Sequence, residues 1–162
     1  VGHMVVDPDG AMVCGCGCRG HWEAYCSGAN IPNYARHLLS EVDSEDRSSS
    51  LLLRLSGGDP QQITAELLFK AAKNGDKTSK WIVERIGKLN VIGFANLVNL
   101  FDPDLITVGG SVALNNPEMI LEPILENLQN HAINRLPEIR ITPLGDDVVL
   151  CGALALAHRR RL

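Results

Sequence analysis

Nothing in this sequence approaches the ~20 consecutive apolar residues needed to cross a bilayer, and its first residues hold no basic segment followed by an apolar stretch. A cytoplasmic protein without a membrane partner is therefore predicted. A basic excess is missing as well: the net charge is −4 and the isoelectric point is near 5.7. That balance argues against the broad cationic face needed to grip a phosphate backbone, so nucleic acid is not an expected partner. No internal repeat or low-complexity tract occurs. Apolar residues make up 45% and charged residues 21%, values that exclude wholesale disorder, collagen and coiled coil. What remains is a 162-residue chain, long enough for one domain with a real core. It opens Val1-Gly2-His3-Met4 without an initiator methionine, as a piece of a longer protein would.

Strands and helices alternate in the pattern. Val5-Val6 and Met12-Val13, joined by Asp7-Pro8-Asp9-Gly10, read as a hairpin. A helix is expected from Glu23 to about Leu39, loosened at Ser27-Gly28 and restarted near Pro32. The charged, Ser-rich stretch from Glu41 to Ser50 reads as a loop, and residues 51 to 56 as a short helix. Thr64 to Lys73 and Asp76 to about Leu100 carry helical apolar spacing, the second helix apolar on all sides beyond Val91. Leu105 to Val108 reads as a buried strand ending in Gly109-Gly110. Asn116-Pro117 opens a helix kinked at Pro123, Ile139 to Thr142 alternates as a strand, and a last helix runs from about Val149 to the solvated Arg159-Arg160-Arg161 end. An α/β fold follows.

Chemistry concentrates between residues 3 and 28. Five cysteines, an odd number with Cys14, Cys16 and Cys18 packed into five residues, do not make a disulfide framework, because alternate residues on one strand are poorly placed to bridge, and Cys26 and Cys151 each stand alone in apolar helical context. Thiolates with nearby imidazoles are the ligands Zn²⁺ prefers. Cys14 and Cys16 are the first two candidates; His3, His21 and Cys18 compete for the remaining two positions.

The run from Gly2-His3 to Gly10, then Cys14-Gly15-Cys16-Gly17, Gly20-His21-Trp22-Glu23 and Ser27-Gly28, resembles the signature of the ROK family (repressors, open reading frames and sugar kinases). Phe101 to Gly110 resembles a second family block, and Leu144 to Asp147 with Gly152-Ala153 a third. The resemblance implies the C-terminal, RNase H-like lobe of an actin-like sugar kinase, glucokinase-like, with a zinc-binding hairpin over residues 3–21 and one lobe across residues 1–162. The N-terminal lobe, with the family's phosphate loop and catalytic Asp, would lie upstream of His3.

Residue by residue, it implies that His3 and Glu23 bind the sugar, that Gly109 and Gly110 form the nucleotide-side turn, and that His3, Cys14, Cys16 and His21 hold a structural Zn²⁺. His21 stands where the family has its third cysteine, so either His21 ligates or Cys18 replaces it. Register favours His21, because Cys18 lies only two residues past Cys16, where a strand would still be running. The implied partners are a hexose, ATP with Mg²⁺, the protein's own N-terminal lobe and a second copy in a homodimer. The alternative is the sugar-sensing lobe of a ROK transcriptional repressor.

Overall fold

The computed structural model describes residues 1–159. Its spine is α6 (Lys77–Phe101), against which α5 (Ala65–Lys73) and α8 (Pro117–Asn127) pack, with α1 (Glu23–Cys26) and α2 (Ile31–Glu41) on another face. Local signals account for these limits. Thr64 accepts the Leu67 amide and Asp76 accepts the Ser79 amide, each satisfying a donor that a helix start leaves free. Gly75, at φ +87°, supplies the left-handed turn between α5 and α6. Pro32 sits in the first turn of α2. Pro123, inside α8, packs on α6 at Gly87, where a Cβ would stand 3.1 Å from the Pro123 side chain; the missing side chain sets how closely the two helices approach.

Strand β1 (Leu105–Val108) pairs in parallel with β2 (Glu138–Ile141), Leu105 opposite Glu138 and Val108 opposite Ile141. The crossover carries α7 (Ser111–Asn115) and α8. This βαβ unit is the sheet among the described residues, and its order agrees with the α/β expectation. Helix α9 (Val148–Arg159) follows a short 3₁₀ turn; Arg160 and Arg161 lie outside the described residues. Among the described residues no helix is long and apolar enough to cross a membrane.

The structure corrects four local expectations. Val5-Val6 and Met12-Val13 do not pair with each other: Val5 bridges His21 and Val13 bridges Arg19, both antiparallel. The Asp7 carboxylate captures the Asp9 and Ala11 amides and winds residues 7–11 into a loop instead of a two-residue hairpin turn. The stretch read as a loop contains α3 (Ser44–Ser49), with Glu45 and Asp46 in its first turn and Arg47 in its last, where each charge suits the helix dipole. Strand β1 is half-exposed: Ile106 and Val108 pack on the core, while Leu105 and Thr107 face outward. Finally, α6 has no exposed residue from Leu89 to Asn99, but Leu100 and Phe101 are mostly exposed, so its apolar second half is not covered to the end.

Candidate functional site

The first residues run alongside residues 20–23. Trp22 donates its amide to the Met4 carbonyl at 2.9 Å, Glu23 to Gly2 at 2.8 Å, and Val6 to Gly20 at 2.9 Å. Gly20 is indispensable to this close approach: its φ is +77°, and a Cβ would stand 2.1 Å from the Asp7 carbonyl oxygen. The pairing brings His3 beside Glu23, with Nε2 and Oε2 3.4 Å apart. At Gly2 a side chain would crowd the same carboxylate, its Cβ 3.2 Å from Oε2.

Residues 14–18 form a tight turn. The Cys14 amide donates to the Cys18 carbonyl and the Gly17 amide to the Cys14 carbonyl, both at 2.8 Å, with Gly17 at φ +90°. No strand is still running at Cys18, so that premise of the register argument is corrected. Donor atoms of His3, Cys14 and Cys16 lie within 4.8 Å of one another, as do those of Cys16, Cys18 and His21. His21 Nδ1 is 3.2 Å from Cys16 Sγ, and the His21 ring stacks on His3 at 5.3 Å. Two three-donor groups therefore meet at Cys16, with His3 and Cys14 in one and Cys18 and His21 in the other; among the described residues Cys14 and His21 share no such group. Soft sulfurs and imidazoles at this spacing fit a tetrahedral zinc ion. The Cys18 backbone amide, aimed at the Cys16 sulfur, holds the Cys16 thiol below its ordinary value; hydrogen bonding to Cys16 and the proximity of its charge hold the Cys18 thiol above. Cys26 stands apart, its thiol turned to the Ile86 carbonyl and pushed up to about 12 by burial.

Two further residues, which periodicity could not single out, fasten this segment to α1. Tyr25, buried at the start of the core, donates its hydroxyl to Asp7 Oδ2 at 2.5 Å and accepts the Met12 amide at 2.9 Å. The Asp7-Pro8-Asp9-Gly10 run did announce a turn, but its long-range partner carries no sequence signal.

Glu23, itself exposed, also lines a cavity of about 480 Å³ together with Thr107, Gly109, Gly110 and Ser111. Gly110 has φ +93° and open space where a Cβ would stand, whereas a Cβ on Gly109 would press on Thr142 and Val148. Gly28 lines the same cavity, and a side chain there would meet Val112 at 3.2 Å. Behind Ser111 a second, polar cavity of about 570 Å³ opens between α5 and α7, walled by Glu66, Lys70 and Lys73; Lys73 Nζ donates to the Asn115 carbonyl at 2.9 Å. A third cavity, about 650 Å³ between α6 and α8, shares no lining residue with the Glu23 cavity.

The turn after the parallel strand β1 lines the same cavity as Glu23, and a turn at that end of a strand exposes backbone amides. The chain belongs to the ROK family, which it matches over residues 1–160. The glucokinase of Pyrobaculum calidifontis is 31% identical over 159 residues, 98% of this chain and 47% of that protein. A ROK family glucokinase from Streptomyces griseus, solved in complex with glucose and AMPPNP, superposes with a TM-score of 0.78 at 32% identity, covering 98% of this chain and 50% of that one. A xylose repressor of Caldicellulosiruptor bescii is 26% identical over 159 residues, 96% of this chain and 38% of that protein. The chain spans about half the length of the curated glucokinases it matches.

Proposed function

We propose that this chain is the sugar- and nucleotide-binding C-terminal lobe of a glucokinase-like, ATP-dependent hexose kinase, a cytoplasmic enzyme that phosphorylates the sugar 6-hydroxyl. The observation that supports this reading is the shared cavity, which Glu23 and the Gly109-Gly110 turn both line. A carboxylate that accepts hydrogen bonds from adjacent hydroxyls suits a sugar, and a turn without Cβ atoms lets backbone approach a nucleotide.

His3 serves both halves of the site. Its Nε2 faces Glu23, leaving Nδ1 for the metal side; a ring fixed at one nitrogen presents the other as an aimed donor to a sugar hydroxyl. Zinc held by His3, Cys14, Cys16 and His21 is structural, because protein ligands fill its four positions. In the whole kinase an aspartate of the N-terminal lobe acts as the base, and ATP with Mg²⁺ supplies the phosphoryl group. Pairing with a second copy through this lobe completes the proposed assembly.

The experiment is a coupled ADP-release assay with glucose and Mg-ATP. The longer protein that carries this chain turns over, and residues 1–162 alone do not, because the base and phosphate loop act from the other lobe. Turnover by the isolated chain overturns the reading. In the longer protein, Glu23→Gln weakens sugar binding by about 1.5–3 kcal/mol for each charge-assisted hydrogen bond lost, with an unchanged melting profile. Unchanged sugar affinity returns Glu23 to a helix-start carboxylate. The xylose repressor likeness supports a second reading, a sugar-sensing repressor lobe, which predicts sugar binding by the longer protein without ADP release.

A further inference from the structure

The ligand set proposed above leaves Cys18 without a role, although the cluster offers five donors and a tetrahedral ion takes four. Its surroundings supply one. Cys16 belongs to both donor groups, with His3 and Cys14 on one side and with Cys18 and His21 on the other. Cys14 is buried at 3% exposure, whereas Cys16 and Cys18 are both exposed, their sulfurs within 4.8 Å. Between them Gly17, at φ +90°, turns the chain within the hydrogen-bonded turn of residues 14–18, and nothing lies within 4 Å of where its Cβ would stand, so no side chain screens the two sulfurs there. We propose that Cys16 and Cys18 form a dithiol oxidation site, reactive toward peroxides, that competes with the metal for Cys16. The competition rests on the zinc reading above.

The chemistry balances with one peroxide. The Cys18 sulfur attacks a peroxide oxygen, the O–O bond breaks, and Cys18 becomes a sulfenic acid as water leaves. The Cys16 sulfur, a thiolate as it leaves the metal, then attacks Cys18 Sγ; the S–S bond forms, the S–O bond breaks, and the hydroxide departs and takes a proton from solvent to become a second water. Two thiols are oxidised to one disulfide while the peroxide is reduced to two waters. Cys16 then no longer ligates, and His3 loses the anchor that aims it beside Glu23. A dithiol reductant reverses the step. Cys14 is shielded from the oxidant by burial, and the Cys26 thiol points elsewhere, to Ile86.

The test treats the zinc-loaded protein with hydrogen peroxide, follows metal release with a chromogenic chelator and maps disulfides by peptide mass spectrometry. The parent is expected to release zinc several-fold faster than Cys18→Ser, to yield a Cys16–Cys18 disulfide, and to take zinc up again after dithiothreitol. Equal release rates, or a disulfide between Cys14 and Cys16, overturn the proposal. A Cys18→Ser protein that cannot hold zinc before oxidant is added also overturns it, because Cys18 is then a ligand. A parent that never takes zinc overturns the metal reading and with it the competition, and disulfide mapping of that same protein then decides the dithiol alone.

Discussion

Replacing Tyr25 by Phe removes one hydroxyl and leaves the ring, which packs edge-on against Tyr34 with centroids 4.9 Å apart. Two contacts go with it: the donation to the Asp7 carboxylate and the acceptance of the Met12 amide. A hydrogen bond to a charged group is worth about 1.5–3 kcal/mol, and an amide left without a partner costs up to the same again when water cannot reach it. Met12 is half-buried and water can replace part of its bond, so the expected destabilisation is about 2–3 kcal/mol.

Equilibrium denaturation in urea measures it, with Tyr34→Phe as control. The Tyr34 ring is equally part of the core, yet no buried polar atom is orphaned there, so that change should stay within about 0.5 kcal/mol. The pH profile gives an independent reading. Burial alone would raise the Asp7 carboxyl, but hydrogen bonds from Tyr25, Ala11 and Asp9 outweigh it and hold the group below 3.8. Its contribution is therefore complete above that value and lost as pH falls through the lower folded one. Tyr25→Phe should flatten this acid limb. A loss below about 0.5 kcal/mol, or equal losses in the two Phe variants, would refute the claim that this hydroxyl ties the loop of residues 7–12 to α1.

His21→Ala should lower zinc retention far more than Cys18→Ser, measured by metal analysis after dialysis; the opposite order makes Cys18 the fourth ligand. Gly93→Ala should destabilise despite a gain of about 1 kcal/mol in helix propensity, because the new Cβ would stand 2.3 Å from the Trp22 ring. That indole is held by its 2.9 Å bond to Asn90, so relief requires breaking it; overpacking of this kind costs about 1–3 kcal/mol, and a rise in melting temperature would contradict the packing. Asp76→Ala should cost about 2–4 kcal/mol, since its carboxylate caps α6 at Ser79 and also binds the Leu51 amide at 2.8 Å and Ser50 Oγ at 3.0 Å. Burial opposes ionisation of Asp76, but those bonds prevail and lower it from 3.8; its stabilisation is present above that pH and disappears as acid protonates the folded form, so a parent and variant that diverge at low pH count against it.

Much of the helical part was legible in the chain order of residues. Thr64, Asp76, Asn74-Gly75 and Pro32 mark helix limits because capping and φ preference act over three or four residues, and the sequence contains both partners side by side. Leu105 to Val108 followed by two glycines announced the strand and its turn for the same reason. The density of Cys and His between residues 3 and 21 announced a cluster of donor side chains, and the structure brings their donor atoms close together. Tertiary structure decided what meets what. Val5-Val6 read as pairing with Met12-Val13, and the pairing of Val5 with His21 instead depended on Asp7 closing its loop and Gly20 admitting the Asp7 carbonyl at a distance that any side chain would forbid. Tyr25 reaching Asp7, and Glu23 lining one cavity with Gly110, join residues 18 and 87 positions apart. Such contacts form only when α1, α6 and β1 have packed, and local propensity carries no record of them.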